Sequence, residues 1–139
     1  MESIHPLVVH FPIALLLTAL CLDGLAVWAK RPGLHRVALW NLSLGTLGAA
    51  AAVLTGLQAE DVGKHSFEIW KIMQLHKRLG ITTLILGLMI VSWRLWKRDQ
   101  LTRRARTLTL AAMILMTGTV GVGAYLGGRM VYEFGVGVK

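Results

Sequence analysis

Four apolar stretches, at residues 7–29, 37–57, 76–96 and 106–127, decide what this chain can fold into. A helix rises about 1.5 Å per residue, so each is long enough to cross most or all of about 30 Å of hydrocarbon. The third holds its densest apolar run at 79–93 and carries an amphipathic lead-in from Phe67. With 139 residues, 55% of them hydrophobic and 16% charged, and a mean hydropathy of +0.59, the chain is too apolar for a water-soluble domain of its size. Its solvent is a bilayer. Trp28, Trp40, Trp70, Trp93, Trp96, Tyr125 and Tyr132 cluster near span ends, where an amphipathic ring prefers headgroup depth.

No internal repeat or linker divides the chain, and the connections after spans one and three are short. Consecutive spans are therefore antiparallel neighbours, which predicts one all-α domain, an up-down-up-down four-helix bundle. The net charge of +8 does not indicate nucleic acid, because the basic residues sit in short loops rather than along one face. Nine of them follow spans one and three (Lys30, Arg31, Arg36, Arg94, Lys97, Arg98, Arg103, Arg104, Arg106) against six on the opposite side. The positive-inside bias makes those two loops cytoplasmic, with both termini and the 58–75 loop on the outer, periplasmic face of a bacterial inner membrane. Span one has no basic lead and is too long for a cleaved signal. Cys21 is the sole cysteine and lies inside span one, which excludes an intrachain disulfide and covalent haem attachment.

Helix packing in lipid relies on small residues. Span two supplies a stripe at Gly45, Gly48, Ala49, Ala52, Thr55, Gly56 and Ala59, and span four a small-xxx-small pair at Gly123 and Gly127. These read as contact faces, with room for a flat macrocycle or another subunit as the alternative. Polar residues at membrane depth need a reason of their own. On the outer side stand His5, His10, Glu60, His65, His76, Tyr125, Arg129, Tyr132 and Glu133, contributed by every span. His35 is the one histidine of the other side.

A b-type haem needs two neutral imidazoles from facing helices, small residues beside the ring, and basic or hydroxyl groups for its propionates. His10 and His76 are the expected metal ligands, with Ala14 and Gly80 one turn on as clearance and Tyr125 and Arg129 near the propionates. His5 and His65 are weaker candidates, or ligands to copper or zinc. Pro12 either follows a helix start near Phe11 or kinks a helix that begins at Pro6. Asp23, the other intramembrane charge, is expected to bond Asn41, Ser43 or the Trp40 indole, or to pair with Arg36. The glycine-rich tail, 128–139, is expected to fold back over the outer helix ends.

His5-Pro6-Leu7-Val8-Val9-His10-Phe11-Pro12, Thr55-Gly56 with Ala59-Glu60, His76 with Gly80, and Gly127-Gly128-Arg129-Met130-Val131-Tyr132-Glu133-Phe134-Gly135-Val136-Gly137-Val138 together resemble the bacterial membrane family catalogued as domain of unknown function 2231. The resemblance covers nearly the whole chain. It implies four membrane helices and occurrence beside or fused to cytochrome-like redox modules, and it brings no assigned reaction. The layout is also similar to small b-type cytochrome subunits, without their second histidine pair. Three functions follow as expectations: a subunit with one haem b passing electrons between a periplasmic redox partner and quinone, a haem-free structural subunit of a larger membrane complex, or a small metal-binding membrane protein. No nucleophile–base pair, phosphate loop or metalloprotease pattern points to an independent hydrolase or transferase.

Overall fold

The computed structural model describes residues 4–60 and 66–136. They form four helices: α1 (His5–Trp28), α2 (Gly33–Glu60), α3 (Phe67–Trp96) and α4 (Arg103–Tyr132). All four are long and apolar enough to cross a membrane. Local chemistry fixes their ends. Pro6 lies in the first turn of α1, where a missing N–H costs nothing. The Ser66 and Thr102 hydroxyls accept from the Ile69 and Ala105 N–H groups and cap α3 and α4. At the other ends α1 and α3 close alike. Arg31 N–H donates to Ala26 C=O and Lys30 N–H to Val27 C=O; Asp99 N–H donates to Arg94 C=O and Arg98 N–H to Leu95 C=O. Both are Schellman motifs, with Lys30 (φ 51°) and Arg98 (φ 49°) in the left-handed position that glycine usually fills.

Close approaches at glycine set the helix register. On α2, a Cβ at Gly45, Gly48 or Gly56 would press on Leu16, on Phe11 and Pro12, or on His5 of α1, so position rises along one helix as it falls along the other. The same antiparallel order joins α2 to α3 (Thr46 with Gly87, Val53 with Gly80) and α3 to α4 (Leu79 with Gly123, His76 with Gly127). Thr83 and Thr119 add a 2.8 Å hydroxyl–hydroxyl bond across the last pair. The bundle therefore runs up-down-up-down. Each helix packs on its chain neighbours and α1 on α4, while α1–α3 and α2–α4 lie across the diagonals with no close backbone approach among the described residues. Between them Leu16, Ala19, Leu42, Ile90, Met113, Met116 and Val120 form an apolar core. One end of the bundle, the terminal end, holds the start of α1, the end of α2, the start of α3 and the end of α4. The other, the connector end, holds the loops after α1 and α3.

Two boundaries differ from the sequence expectation. Hydropathy marks only the stretch immersed in lipid, whereas α3 begins at its Ser66 cap, and the lead-in from Phe67 is helix continuous with the span. At the C-terminus the Gly127-Gly128 pair does not end α4, which runs on to Tyr132. Of the tail expected to cap the helix ends, residues 128–132 are the last turn of α4. Gly135 turns the chain at φ 64°, and Gly135 and Val136 N–H donate back to Val131 and Met130 of α4 itself. Residues 137–139 of the tail lie outside the described residues. Of the two readings of Pro12, helix begins before it and continues through it, and Pro12 is buried against Gly48.

Candidate functional site

Polar side chains gather at both ends of the bundle. At the terminal end His5, the first residue of α1, meets His76, in the third turn of α3. Their ring centroids are 6.0 Å apart and the ring planes stand at 88°. Each ring is aimed by an oxygen of a neighbouring helix. His76 Nδ1 lies 2.8 Å from Gly123 C=O, and since a carbonyl only accepts, Nδ1 carries the proton. His5 Nδ1 lies 3.1 Å from Thr55 Oγ1. The Thr55 hydroxyl also lies 3.0 and 3.1 Å from the Ala51 and Ala52 carbonyls. With Nδ1 donating to Gly123, the other ring nitrogen of His76, Nε2, is the one left for a further partner. Glycine makes the room: a Cβ at Gly56 would stand 3.0 Å from His5 Cε1, and one at Gly127 would stand 3.3 Å from His76 Cε1. Span-two and span-four glycines thus clear space for imidazole edges.

The expected partner of His76, His10, does not face it. His10 is exposed on the outside of α1, and its Nδ1 donates to Pro6 C=O, one turn back, at 2.6 Å. The other residues assigned to the cofactor are not gathered around the imidazole pair. Ala14 is exposed, and its carbonyl accepts from the Thr18 hydroxyl. Gly80 faces Val53 of α2. Tyr125 is exposed, and Arg129 forms a two-pronged pair with Glu133 at 2.7–3.0 Å. Those bonds hold the Glu133 carboxyl below its ordinary range. His65 and the side chain of Glu60 lie outside the described residues. His5, ranked below His10 from the sequence, is the ring that the α1–α2 register delivers.

At the connector end every helix contributes. Asp23 of α1 and Arg94 of α3 are both 0% exposed. Asp23 Oδ1 accepts from His35 Nδ1 of α2 at 2.6 Å and from Arg94 Nη2 at 3.4 Å, with Arg106 Nη1 of α4 at 3.7 Å. Arg94 also donates to Asp99 through Nε (2.9 Å) and Nη2 (3.0 Å) and to His35 C=O (2.9 Å). Arg106 reaches Asp99 Oδ1 at 3.2 Å and its backbone carbonyl at 3.1 Å. The turn after α3 places Asp99, itself at φ 54°, for these bonds. Asp23 therefore does not bond the partners expected of it. The Asn41 amide and the Ser43 hydroxyl donate to Val37 and Leu39 within α2 instead. By sequence Arg94 and Arg106 are cations of the loop after span three. An acid five residues from the end of span one and a cation near the same end of span three were the signal that pairs them.

A helical bundle with an apolar middle and polar clusters at both ends is the architecture of a multi-pass membrane protein. Residues 1–139 match the family described as "Predicted membrane protein (DUF2231)", and the chain belongs to that family. Neither the curated proteins nor the solved structures contain a significant match.

Proposed function

We propose that the protein is a membrane subunit in which His5 and His76 would hold one b-type haem at the terminal end, for electron transfer or anchoring in a redox complex. The observation that carries this reading is the imidazole pair itself, 6.0 Å between centroids, contributed by two helices, with both Nδ1 atoms within hydrogen-bond distance of protein oxygens. An imidazole that spends Nδ1–H on a second-shell acceptor offers Nε2 to a metal, and that acceptor fixes the ring's orientation. Two imidazoles meet here, one from each of two helices. Two is also the number a b-type iron takes, whereas a tetrahedral zinc site takes four ligands. Among the described residues no three of His, Cys, Asp and Glu come together for a bare ion. Bound there, the haem would supply one-electron chemistry. Thr55 and Gly123 orient the rings, and Gly56 and Gly127 keep side chains off their edges. With the basic connector end in the cytoplasm, this site faces the periplasm of an inner membrane, within reach of a periplasmic or membrane redox partner or quinone.

The test is the reduced-minus-oxidised spectrum of the full chain purified in detergent after expression with haem supplied. A sharp alpha band is expected, lost in His5→Ala and in His76→Ala and kept in His10→Ala and His35→Ala, with thermal unfolding showing that all four variants fold. A colourless protein with stoichiometric copper or zinc sinks the haem reading in favour of an ion site. A colourless, metal-free protein leaves the two histidines as interhelical hydrogen-bonding groups of a structural subunit.

A further inference from the structure

The connector end holds a groove of about 600 Å³ that the imidazole pair does not touch. Arg36, Arg94, Arg98 and Arg106 line it, and Asp99 is the one acid on its walls. With Asp23 buried behind them, the four cations outnumber the two anions. Arg36 and Arg98 are exposed and have no acidic partner among the described residues. Arg94 is fully buried, yet its Nη1 has no hydrogen-bond partner, and Asp23 Oδ2 behind it is likewise unpaired. A buried guanidinium N–H left unpaired is costly unless something completes it. Pro32, Leu39 and Leu95 give the same groove an apolar wall. Lys97 lies over the Trp93 and Trp96 rings at 5.1 and 4.7 Å from their centroids, at the end of α3 that forms the groove, and tryptophan with lysine is the pairing that favours headgroup depth.

We propose that this groove binds a phosphate group, either in the headgroup of an anionic phospholipid or as free phosphate, with Arg36 and Arg98 at its mouth and Arg94 at its base. Guanidinium forks match phosphate oxygens in shape and charge. Basic pockets between helices at the membrane surface recognise such headgroups, and an apolar wall suits the glycerol and first methylenes of a lipid.

The experiment is native mass spectrometry of the full chain in an uncharged, phosphate-free detergent, titrated with phosphatidylglycerol, with diacylglycerol, which lacks phosphate, and with inorganic phosphate. Wild type is expected to keep one phosphatidylglycerol in preference to diacylglycerol. The double variant R36Q/R98Q, altered only at exposed positions, should hold it about thirtyfold more weakly, since each of the two surface cations contributes about 1 kcal/mol to such binding and about 1.4 kcal/mol is a factor of ten. Displacement of the lipid by inorganic phosphate assigns the site to phosphate from any source; retention against it assigns the site to lipid. Equal binding of diacylglycerol, no adduct of either phosphate compound, or undiminished binding by a folded R36Q/R98Q chain overturns the proposal.

Discussion

At Gly87 a methyl group would stand 2.6 Å from the Thr46 hydroxyl oxygen and 3.1 Å from its Cγ2, against a threonine that is buried. At Gly118 the same methyl would meet nothing within 4 Å. Gly87→Ala should therefore lower the unfolding temperature in detergent, with a cost of about 1–3 kcal/mol from overpacking. Gly118→Ala should leave it unchanged or raise it, by up to about 1 kcal/mol of helix propensity. Equal effects would mean that α2 and α3 are not in this register. The same scale explains why His10 is the natural choice from the sequence and His5 the one in the structure. The two are five positions apart, about 140° around a helix at about 100° per residue. In α1 nearly every side around them is apolar, so hydropathy does not mark the inward face. Gly56 and Thr55 of α2 select His5, and their alignment with α1 exists only once the helices are docked.

Helices and their order follow from length and hydropathy, because lipid admits few alternatives to a spanning helix. Gly45, Gly48 and Gly56 of the span-two stripe and the Gly123–Gly127 pair do lie at helix contacts. Helix ends were harder to read, since they are set by caps and turn geometry. Lys30 and Arg98 end α1 and α3 in the left-handed region, which for a residue with a Cβ costs about 1–2 kcal/mol. Lys30 lies outside the groove, so Lys30→Gly isolates the effect: it should raise stability by about 0.5–1 kcal/mol, after the loss of chain entropy that glycine brings. Thr102→Ala should lower it by about 0.5–2 kcal/mol through loss of the α4 cap. Equilibrium unfolding in mixed micelles reads both signs.

Across the whole molecule, the Asp23–Arg94 contact is a buried ion pair at the meeting point of four helices. Arg94→Met leaves Asp23 and Asp99 short of a partner and should cost about 3–5 kcal/mol. The double variant D23L/R94M should lose less than the sum of the two single variants, because each single change strands a charge in the interior. Strict additivity would show that the two groups do not sense each other. This cluster was legible only in part: Asp23 signalled that a partner was needed, but the identity of that partner depended on a diagonal that no short-range pattern encodes.

That diagonal is crossed twice, by His5 with His76 at one extremity and by Asp23 with Arg94 at the other. Leucine gains little by exchanging a lipid tail for a neighbouring leucine, so greasy faces alone would let α1 and α3 slide past each other by a turn at small cost. Rivets at opposite rims forbid that slip, because a displacement of about 5.4 Å would break both together. The vertical alignment of the assembly is thus written in a few charged and aromatic-nitrogen groups, and the oily surface between them is left free to vary.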